Sequence, residues 1–348
     1  MFALVSGRDL VTFFLGLELA TLPLFALAVF PSRSEDAVES AAKLLVGAGL
    51  ATALNLFGLS LLYGAAGTLS FHGLESASLS ASPGMRLGAL LVFGGVGFKI
   101  AMFPFHMWAP DVYEGAPTPV AAFLSVGSKA AGLAALSALF LGPLDALRPS
   151  LVPAFSVAAA ASMLAGNLGA MRQNHVRRFA GYSSVAQAGY FLLAFTGAAA
   201  PGRSALLFNL FAYGASVFAF FFALRATGPR FPEDMRAFRG LSAEKPWAAL
   251  LLLLSMFSLA GIPPLAGFLG KFQLFSVSLG AGHAVLVSIA VANSVLSLFY
   301  YLRPVKEAYL ADPETGPPPR LGLRASLPLW ILGAAMLVLG LWPSLVSP

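Results

Sequence analysis

Long apolar stretches recur along the whole chain, and each is long enough to cross a lipid bilayer. A membrane-spanning helix needs about 20 mostly apolar residues, and the sequence contains ten such segments. Only 10% of the 348 residues are charged, whereas soluble domains carry about 25%. The sequence therefore predicts an all-α polytopic membrane protein. The predicted spans are residues 10–30, 38–64, 86–114, 118–141, 151–171, 176–197, 204–225, 246–279, 284–305 and 325–346.

The basic residues outside these spans or at their ends are unevenly distributed between the two sides of the membrane. Thirteen Lys and Arg residues fall on one side and four on the other. Because an excess of basic residues marks the cytoplasmic side, we predict a bacterial inner-membrane protein with both termini in the periplasm. The net charge of +6 then indicates orientation in the lipid bilayer, and no nucleic-acid partner is expected. The four residues on the sparse side are Arg8, Arg86, Arg148 and Arg203.

Ionisable residues inside the predicted spans are few and are restricted in type. Away from the first and last three positions of each span, all four basic residues are lysine, which can release a proton when buried, whereas arginine cannot. One acid lies deep in the first span. Such intramembrane groups are costly and are usually functional. The candidate proton-transfer residues are Glu18, Lys43, Lys99, Lys129 and Lys271, with His106 as a further candidate beside a helix break.

Two predicted spans are interrupted by proline, the third near Pro104 and the eighth near Pro263-Pro264. They lie five spans apart, so the two helices cross the membrane in opposite directions, as in an inverted repeat. Freed backbone groups must be satisfied by protein or water, so we expect hydrated pockets beside Lys99 and Lys271. The predicted units are residues 1–141 (a first, incomplete half-channel repeat), 151–305 (a second, inverted repeat) and 306–348 (a linker and the last helix).

Each candidate also has a simpler interpretation. Glu39 lies four residues before Lys43, so the two can form a pair on a helix surface. Glu18 can be a protonated packing residue, and a lone histidine such as His106 is often structural. Asp111 and Glu114, at the polar end of the third span, fit turn and cap positions. The chain has no cysteine and no nucleotide-binding motif, so we expect it to bind no cofactor and no metal itself.

Four stretches resemble a known family. Through these stretches the chain is similar to the antiporter-like proton-translocating subunits of respiratory complex I and its relatives. The sequence DVYEGAPTPV is more similar to N-type subunits of that family than to L- or M-type subunits. The resemblance implies a fourteen-helix fold with two inverted five-helix repeats, so that about four further helices would precede the first span. The stretches are FLGLELATLPLFAL (14–27), GFKIAMFPFHMWAPDVYEGAPTPV (97–120), RRFAGYSSVAQAGY (177–190) and SLAGIPPLAGFLGKF (258–272).

The resemblance also implies roles for single residues. Glu18 matches the family's buried glutamate, and Lys43 matches the lysine of the adjacent helix that pairs with it. Lys99 matches the lysine of the first broken helix and Lys129 the connecting lysine. Lys271 matches the lysine of the second broken helix, near the proton exit.

The implied activity is proton translocation driven from outside the chain. Protons would pass along the buried lysines, while NADH, FMN, iron–sulfur clusters and quinone would be bound by partner subunits, among them subunits M, L and K. The chain would be a non-redox subunit of a NADH–quinone oxidoreductase. Gln187 stands where N-type subunits often have histidine. Two alternatives stay open: a monovalent cation/proton antiporter or energy-converting hydrogenase subunit, and a structural spacer that does not pump.

Overall fold

The computed structural model describes residues 6–29, 35–80, 82–228, 234–312 and 323–343, together with Leu4. In these residues all regular secondary structure is helical, which confirms the all-α prediction. The helices are α1 Leu10–Leu19, α2 Leu22–Val29, α3 Glu35–Ala66, α4 Phe71–Ser78, α5 Pro83–Lys99, α6 Trp108–Gly115, α7 Thr118–Phe123, α8 Lys129–Phe140, α9 Arg148–Met171, α10 Val176–Leu192, α11 Ala199–Thr227, α12 Leu241–Glu244, α13 Pro246–Ala260, α14 Ala266–Gly280, α15 Ala284–Leu310 and α16 Leu323–Leu341.

Membrane-length helices account for the predicted spans. Within the described residues, six helical segments are long and apolar enough to cross a bilayer by length and composition. The two broken helices (α5–α6 and α13–α14), α10 and α16 coincide with the other four predicted spans. Residue 30 of the first predicted span, residues 313–322 of the predicted linker and residues 344–346 of the last span lie outside the described residues. The chain is a multi-pass membrane protein.

The first broken helix ends earlier than its proline suggested. α5 stops at Lys99 and α6 starts at Trp108, so the break begins before Pro104 and continues past it. Ala101 adopts a left-handed conformation with φ 58°, which ends the helix. The indole of Trp108 donates a hydrogen bond of 2.9 Å to the carbonyl of Phe98, and so satisfies one of the carbonyls that the helix end leaves free.

The second break falls where the double proline predicts it. α13 ends at Ala260 and α14 starts at Ala266. Gly261 has φ 89°, a conformation that glycine adopts without a steric penalty. A Cβ atom at this position would also lie 3.1 Å from the Lys271 side chain. The break therefore brings Lys271 directly against the backbone of its own broken helix.

Small residues allow the helices around the first break to pack closely. A Cβ atom at Gly58 of α3 would lie 2.7 Å from the carbonyl oxygen of Gly88 of α5, so the two backbones are in direct contact. Close approach through small residues is typical of helix pairs in lipid.

α10 packs at the centre of the bundle, and all its residues from 183 to 192 are buried. The polar groups of α10 therefore face other helices.

Candidate functional site

Lys99 is the last residue of α5 and is buried, with 7% of its surface exposed. Its ammonium donates a hydrogen bond of 2.6 Å to the hydroxyl of Thr21. Thr21 lies at the interruption between α1 and α2, where its hydroxyl also donates to the carbonyl of Leu17 at 2.7 Å. The interruption of the first span therefore presents a hydroxyl oxygen to the lysine of the first broken helix.

A small cavity lies beside Lys99, and we call it the inner cavity. Its volume is about 30 Å³, enough for one or two water molecules. Glu18 lines it and accepts a hydrogen bond of 2.8 Å from Thr52. The Oδ1 atom of Asn55 is buried there and has no partner among the described residues, which is typical of an atom that binds water. The polar lining residues are Glu18, Thr21, Thr52, Asn55, Lys99 and Ser128.

Lys43 does not pair with Glu18, and that expectation is wrong. The side chain of Lys43 is 46% exposed and forms ion pairs with Glu39 at 2.8 Å and Asp111 at 2.9 Å. Glu39 lies one turn before Lys43 on the same face of α3, which is the arrangement of the simpler interpretation. Glu18 instead shares the inner cavity with Lys99. Lys43 therefore lies outside the buried row of amines.

Asp111 is the centre of a group of charged side chains that we call the ion-pair cluster. Its carboxylate binds Lys43 of α3 on one side and Arg178 of α10 on the other, both at 2.9 Å. Arg178 also binds Glu114 at 2.5 Å. The cluster therefore ties α6 to both neighbouring helices, a role beyond the turn or cap expected of Asp111. Its members are Glu39, Lys43, Asp111, Glu114 and Arg178.

Lys129 is almost fully buried, with 1% of its surface exposed. Its ammonium donates to the carbonyl of Ile100 at 2.9 Å and to the carbonyl of Ser184 at 2.6 Å. A single turn of π-helix, Leu124–Ser128, immediately precedes it. Such turns often occur at functional sites. Lys129 thus connects the first helix break to the central helix α10.

Lys271 is also buried, with 4% of its surface exposed. Its ammonium donates to the carbonyl of Ala260 at 3.0 Å and to the hydroxyl of Ser294 at 3.1 Å. It lies 4.4 Å from the ring centroid of Tyr190, within the range of a cation–π interaction. Its amine therefore caps the end of α13 in the same way that Lys129 binds the carbonyl of Ile100.

Neutral polar side chains lie between these two amines. The hydroxyls of Ser183 and Tyr301 are 2.6 Å apart. The amide of Gln187 donates to the Tyr301 hydroxyl at 3.2 Å and to the carbonyl of Leu259 at 3.1 Å. Gln187 therefore joins α10 to α15 and to the end of α13. Tyr301 is not among the residues predicted from the sequence, although polar residues spaced along one apolar helix were a usable signal.

His106 lies in the turn of the first break and is buried, with 7% of its surface exposed. Its ring stacks on Phe103 with centroids 5.4 Å apart. Its Nδ1 atom has no partner among the described residues. Among the described residues no hydrogen bond joins this ring to the buried lysines, so a proton-transfer role for His106 stays a prediction.

The arrangement is suited to binding and releasing protons inside a bilayer. Three amines are buried in bilayer-length helices, and neutral hydroxyls and carbonyls accept their hydrogen bonds. No group of His, Cys, Asp or Glu in the described part of the chain could hold a metal ion. The fold and these side chains define a class: a polytopic membrane protein with buried amines at two helix breaks.

Comparison with known proteins identifies the family within this class. Residues 7–297 match the family described as NADH:quinone oxidoreductase/Mrp antiporter, TM. NADH-quinone oxidoreductase subunit N of Desulforamulus reducens is 39% identical over 346 residues, which cover 99% of this chain and 72% of that protein. The F(420)H(2) dehydrogenase subunit N of Methanosarcina mazei is also 39% identical, over 99% of this chain and 72% of that one.

A solved structure has the same fold. A chain of respiratory complex I from Thermus thermophilus, determined with bound aureothin, superposes with a TM-score of 0.87 at 36% identity. The superposition covers 99% of this chain and 76% of the other. The protein belongs to the NADH:quinone oxidoreductase/Mrp antiporter family of membrane subunits.

Proposed function

We propose that the chain is a proton-translocating membrane-arm subunit of a NADH–quinone oxidoreductase. The observation that carries this proposal is the burial of Lys99, Lys129 and Lys271 in bilayer-length helices, with neutral groups accepting their hydrogen bonds. A buried amine without a neutralising carboxylate contact is costly in lipid, and reversible protonation is a function that offsets this cost. The relatives named subunit N support the same assignment.

The proposed path begins at Lys99 and ends at Lys271. Lys99 takes up a proton in the inner cavity, where Glu18 lies close enough to share its lining. Lys129 receives the next charge beside the first break, and Lys271 releases a proton on the opposite side. Charges interact over long distances in a low dielectric, so each change at one amine alters the proton affinity of the next. Lys43 stands outside this row, at the surface.

Partner subunits supply the driving force in this proposal. NADH oxidation, FMN, the iron–sulfur clusters and quinone reduction belong to those partners, and subunits M, L and K are the membrane neighbours. This chain supplies the proton path through the bilayer. The excess of basic residues on one side supports a cytoplasmic assignment of that side, with both termini in the periplasm.

A second candidate has a different electron donor. The relative from Methanosarcina mazei is a subunit of an F(420)H(2) dehydrogenase. It is 39% identical to this chain, as is the NADH-quinone oxidoreductase subunit N of Desulforamulus reducens. The donor-oxidising module is therefore best identified by purifying the complex and testing both donors. The family description also includes Mrp antiporters, so a dependence of proton movement on Na⁺ would favour a cation/proton antiporter.

Replacing the buried lysines by methionine tests the proposal. In membrane vesicles that contain the whole complex, Lys99→Met and Lys271→Met should reduce donor-driven acidification by about 100-fold, the effect expected when a positioned proton-transfer group is lost. Lys306→Met is the matched control, because Lys306 is exposed at the end of α15. Wild-type pumping in both buried-lysine variants would instead favour a structural spacer.

A further inference from the structure

Tyr301 of α15 contacts the central helix α10 through its hydroxyl group. The residue is buried, with 1% of its surface exposed. Its hydroxyl oxygen lies 2.6 Å from the hydroxyl of Ser183 and 3.2 Å from the amide nitrogen of Gln187. Ser183 and Gln187 are four residues apart on α10, so they lie on the same face of that helix. The Tyr301 hydroxyl therefore contacts two polar side chains of one helix face, a hydroxyl and an amide.

On one side this contact adjoins the surroundings of Lys129. The ammonium of Lys129 donates to the carbonyl of Ser184 at 2.6 Å. The hydroxyl of Ser184 lies 3.3 Å from each of the hydroxyls of Tyr113 and Tyr213, and all three residues are buried. Tyr301 contacts the residue that precedes Ser184. Lys129 and Tyr301 therefore bind consecutive residues of α10.

On the other side the contact adjoins the second helix break. The amide of Gln187 donates to the carbonyl of Leu259 at 3.1 Å, and the ammonium of Lys271 donates to the carbonyl of Ala260 at 3.0 Å. These carbonyls belong to the last two residues of α13. The amide partner of the Tyr301 hydroxyl and the amine of Lys271 therefore bind neighbouring backbone groups. Tyr301 thus lies between the surroundings of the two amines.

The two partners of the Tyr301 hydroxyl differ in what they can do with a proton. The amide nitrogen of Gln187 is a donor only, so the Tyr301 oxygen accepts its hydrogen bond and the phenolic proton is directed to Ser183. In the pair of hydroxyls either oxygen can be the donor, so this hydrogen bond can reverse its direction. A hydroxyl with such a partner can accept one proton while it gives up another.

The neighbouring Tyr300 has a different kind of partner. It is fully buried and donates a hydrogen bond of 2.8 Å to the side-chain carbonyl of Asn167. An amide oxygen accepts a hydrogen bond but has no proton to return. The ring centroids of Tyr300 and Tyr301 are 4.4 Å apart. The two tyrosines therefore share one environment and differ in the chemistry of their hydrogen-bond partners.

We propose that Tyr301 is a proton-relay residue between Lys129 and Lys271 and that Gln187 positions its hydroxyl. The proposal rests on the proposed function and names a further residue for it. The observation that carries it is the 2.6 Å contact of two buried hydroxyls between the sites of the two amines. A neutral relay suits this place, because a further fixed charge inside the bilayer would be costly.

The proposed transfer moves one proton and leaves the phenol neutral. The Tyr301 O–H group first turns from Ser183 toward a water molecule beside Lys271. The Ser183 hydroxyl then gives its proton to the Tyr301 oxygen, while the phenolic proton passes to that water and from the water to the Lys271 amine. Ser183 regains a proton through water from the ammonium of Lys129. In sum, the Lys129 amine loses one proton and the Lys271 amine gains one.

A pair of tyrosine substitutions tests the relay. In inside-out membrane vesicles that contain the whole complex, Tyr301→Phe should reduce the acidification driven by the electron donor about tenfold. This loss is smaller than that expected for the lysines, because water can replace part of the hydrogen bonding of a hydroxyl. Tyr300→Phe is the matched control, since it removes a hydrogen-bonded hydroxyl from the preceding residue of the same helix, and should leave the rate close to that of the wild type. The content of this chain in each preparation is measured by immunoblotting.

A rescue experiment separates a relay from a structural contact. Gln187→His introduces an imidazole, which gains and loses a proton near neutral pH, next to the position of the lost hydroxyl. Added to Tyr301→Phe, it should restore acidification to about half of the wild-type rate, whereas added to Tyr300→Phe it should not raise the rate. A purely structural contact of the Tyr301 hydroxyl would not be restored by a titratable group at another position. If Gln187→His prevents assembly, Tyr301→His replaces it, because it keeps a titratable group at the relay position itself.

Three outcomes would overturn the relay. They are wild-type acidification in Tyr301→Phe, an equal loss in Tyr301→Phe and Tyr300→Phe, and no restoration by Gln187→His or Tyr301→His in complexes that assemble. A loss of acidification in Lys271→Met together with a wild-type rate in Tyr301→Phe would refute the relay and leave the proposed function standing. Wild-type acidification in Lys99→Met and Lys271→Met would instead refute the proposed function itself.

Discussion

The two helix breaks solve the same backbone problem with different lysines. At the first break the amine that binds the freed carbonyl of Ile100 comes from another helix, since Lys129 belongs to α8. At the second break the lysine comes from the broken helix itself, and Lys271 folds back onto Ala260. Among the described residues the first break therefore has two buried lysines in its vicinity, Lys99 within the helix and Lys129 opposite it, whereas the second has Lys271 alone.

The two sites also differ in their neighbouring charges. Lys99 shares a cavity with the carboxylate of Glu18. The hydrogen-bond partners that the described residues give Lys271 are a carbonyl and a hydroxyl, with an aromatic ring above it. A movement of Glu18 can alter the proton affinity of Lys99, since a nearby opposite charge favours the charged amine. The first site is suited to control of uptake, and the second to release in response to an arriving charge.

The largest expected effect tests the connection between the two breaks. Lys129→Met removes the amine that binds Ile100 and Ser184, so donor-driven acidification should fall by about 100-fold. Lys129→Arg keeps the positive charge but cannot release a proton, so pumping should fall as strongly. Both variants are compared by fluorescence quenching in vesicles, with complex content measured by immunoblotting.

The arginine variant separates two roles of Lys129. If Lys129→Arg assembles and pumps at the wild-type rate, a fixed charge suffices and Lys129 is a structural cap of the first break. Lys306→Arg is the control for the substitution, because Lys306 is exposed.

A smaller effect is expected from the carboxylate that distinguishes the first site. Glu18→Gln keeps an acceptor for the Thr52 hydroxyl but removes the charge beside Lys99. We expect a fall of about tenfold in pumping, which corresponds to a loss of about 1.4 kcal/mol. The measurement is the rate of acidification as a function of pH. Glu75→Gln, on an exposed position of α4, is the control, and an equal effect of both substitutions would remove the proposed difference between the sites.

The parts of this site that sequence predicted are those with a strong local cost. A lysine in an apolar span and a double proline in a helix each need compensation wherever they occur, so Lys99, Lys271 and the second break could be located in advance. The first break began earlier than expected because Ala101 and the Trp108 indole, rather than Pro104, end α5. Such a contact between residues apart in sequence leaves no local pattern.

Contacts between distant helices were the parts that sequence could not supply. Spacing alone did not distinguish whether Glu18 faces Lys43 or Lys99, because both lie on helices adjacent to the first span. The actual orientation follows from the interruption at Thr21 and from the attraction of Lys43 to Asp111. Tyr301 was missed for the same reason, since its importance depends on contacts with Ser183 and Gln187.

The fit of α3 against the first break allows a matched pair of substitutions. Gly47→Ala would place a methyl group 2.6 Å from the Phe98 ring, and overpacking of this kind costs about 1–3 kcal/mol. We expect faster thermal inactivation of pumping and a several-fold lower rate. Gly49→Ala meets open space and should leave both quantities unchanged. Identical behaviour of the two variants would show that the Phe98 ring tolerates displacement.

The smallest expected effect concerns the ring above Lys271, since no described residue makes a cation–π contact with Lys99. Tyr190→Phe keeps the ring at the amine and removes only the buried hydroxyl, so pumping should stay within about twofold of the wild type. Tyr190→Leu removes the cation–π contact, worth about 0.5–1 kcal/mol, and should slow acidification a few-fold. The two variants share the loss of the hydroxyl and differ in the aromatic ring. Equal acidification rates in both would mean that the aromatic face does not stabilise the charged amine of Lys271. The carbonyl and hydroxyl partners of Lys271 would then suffice.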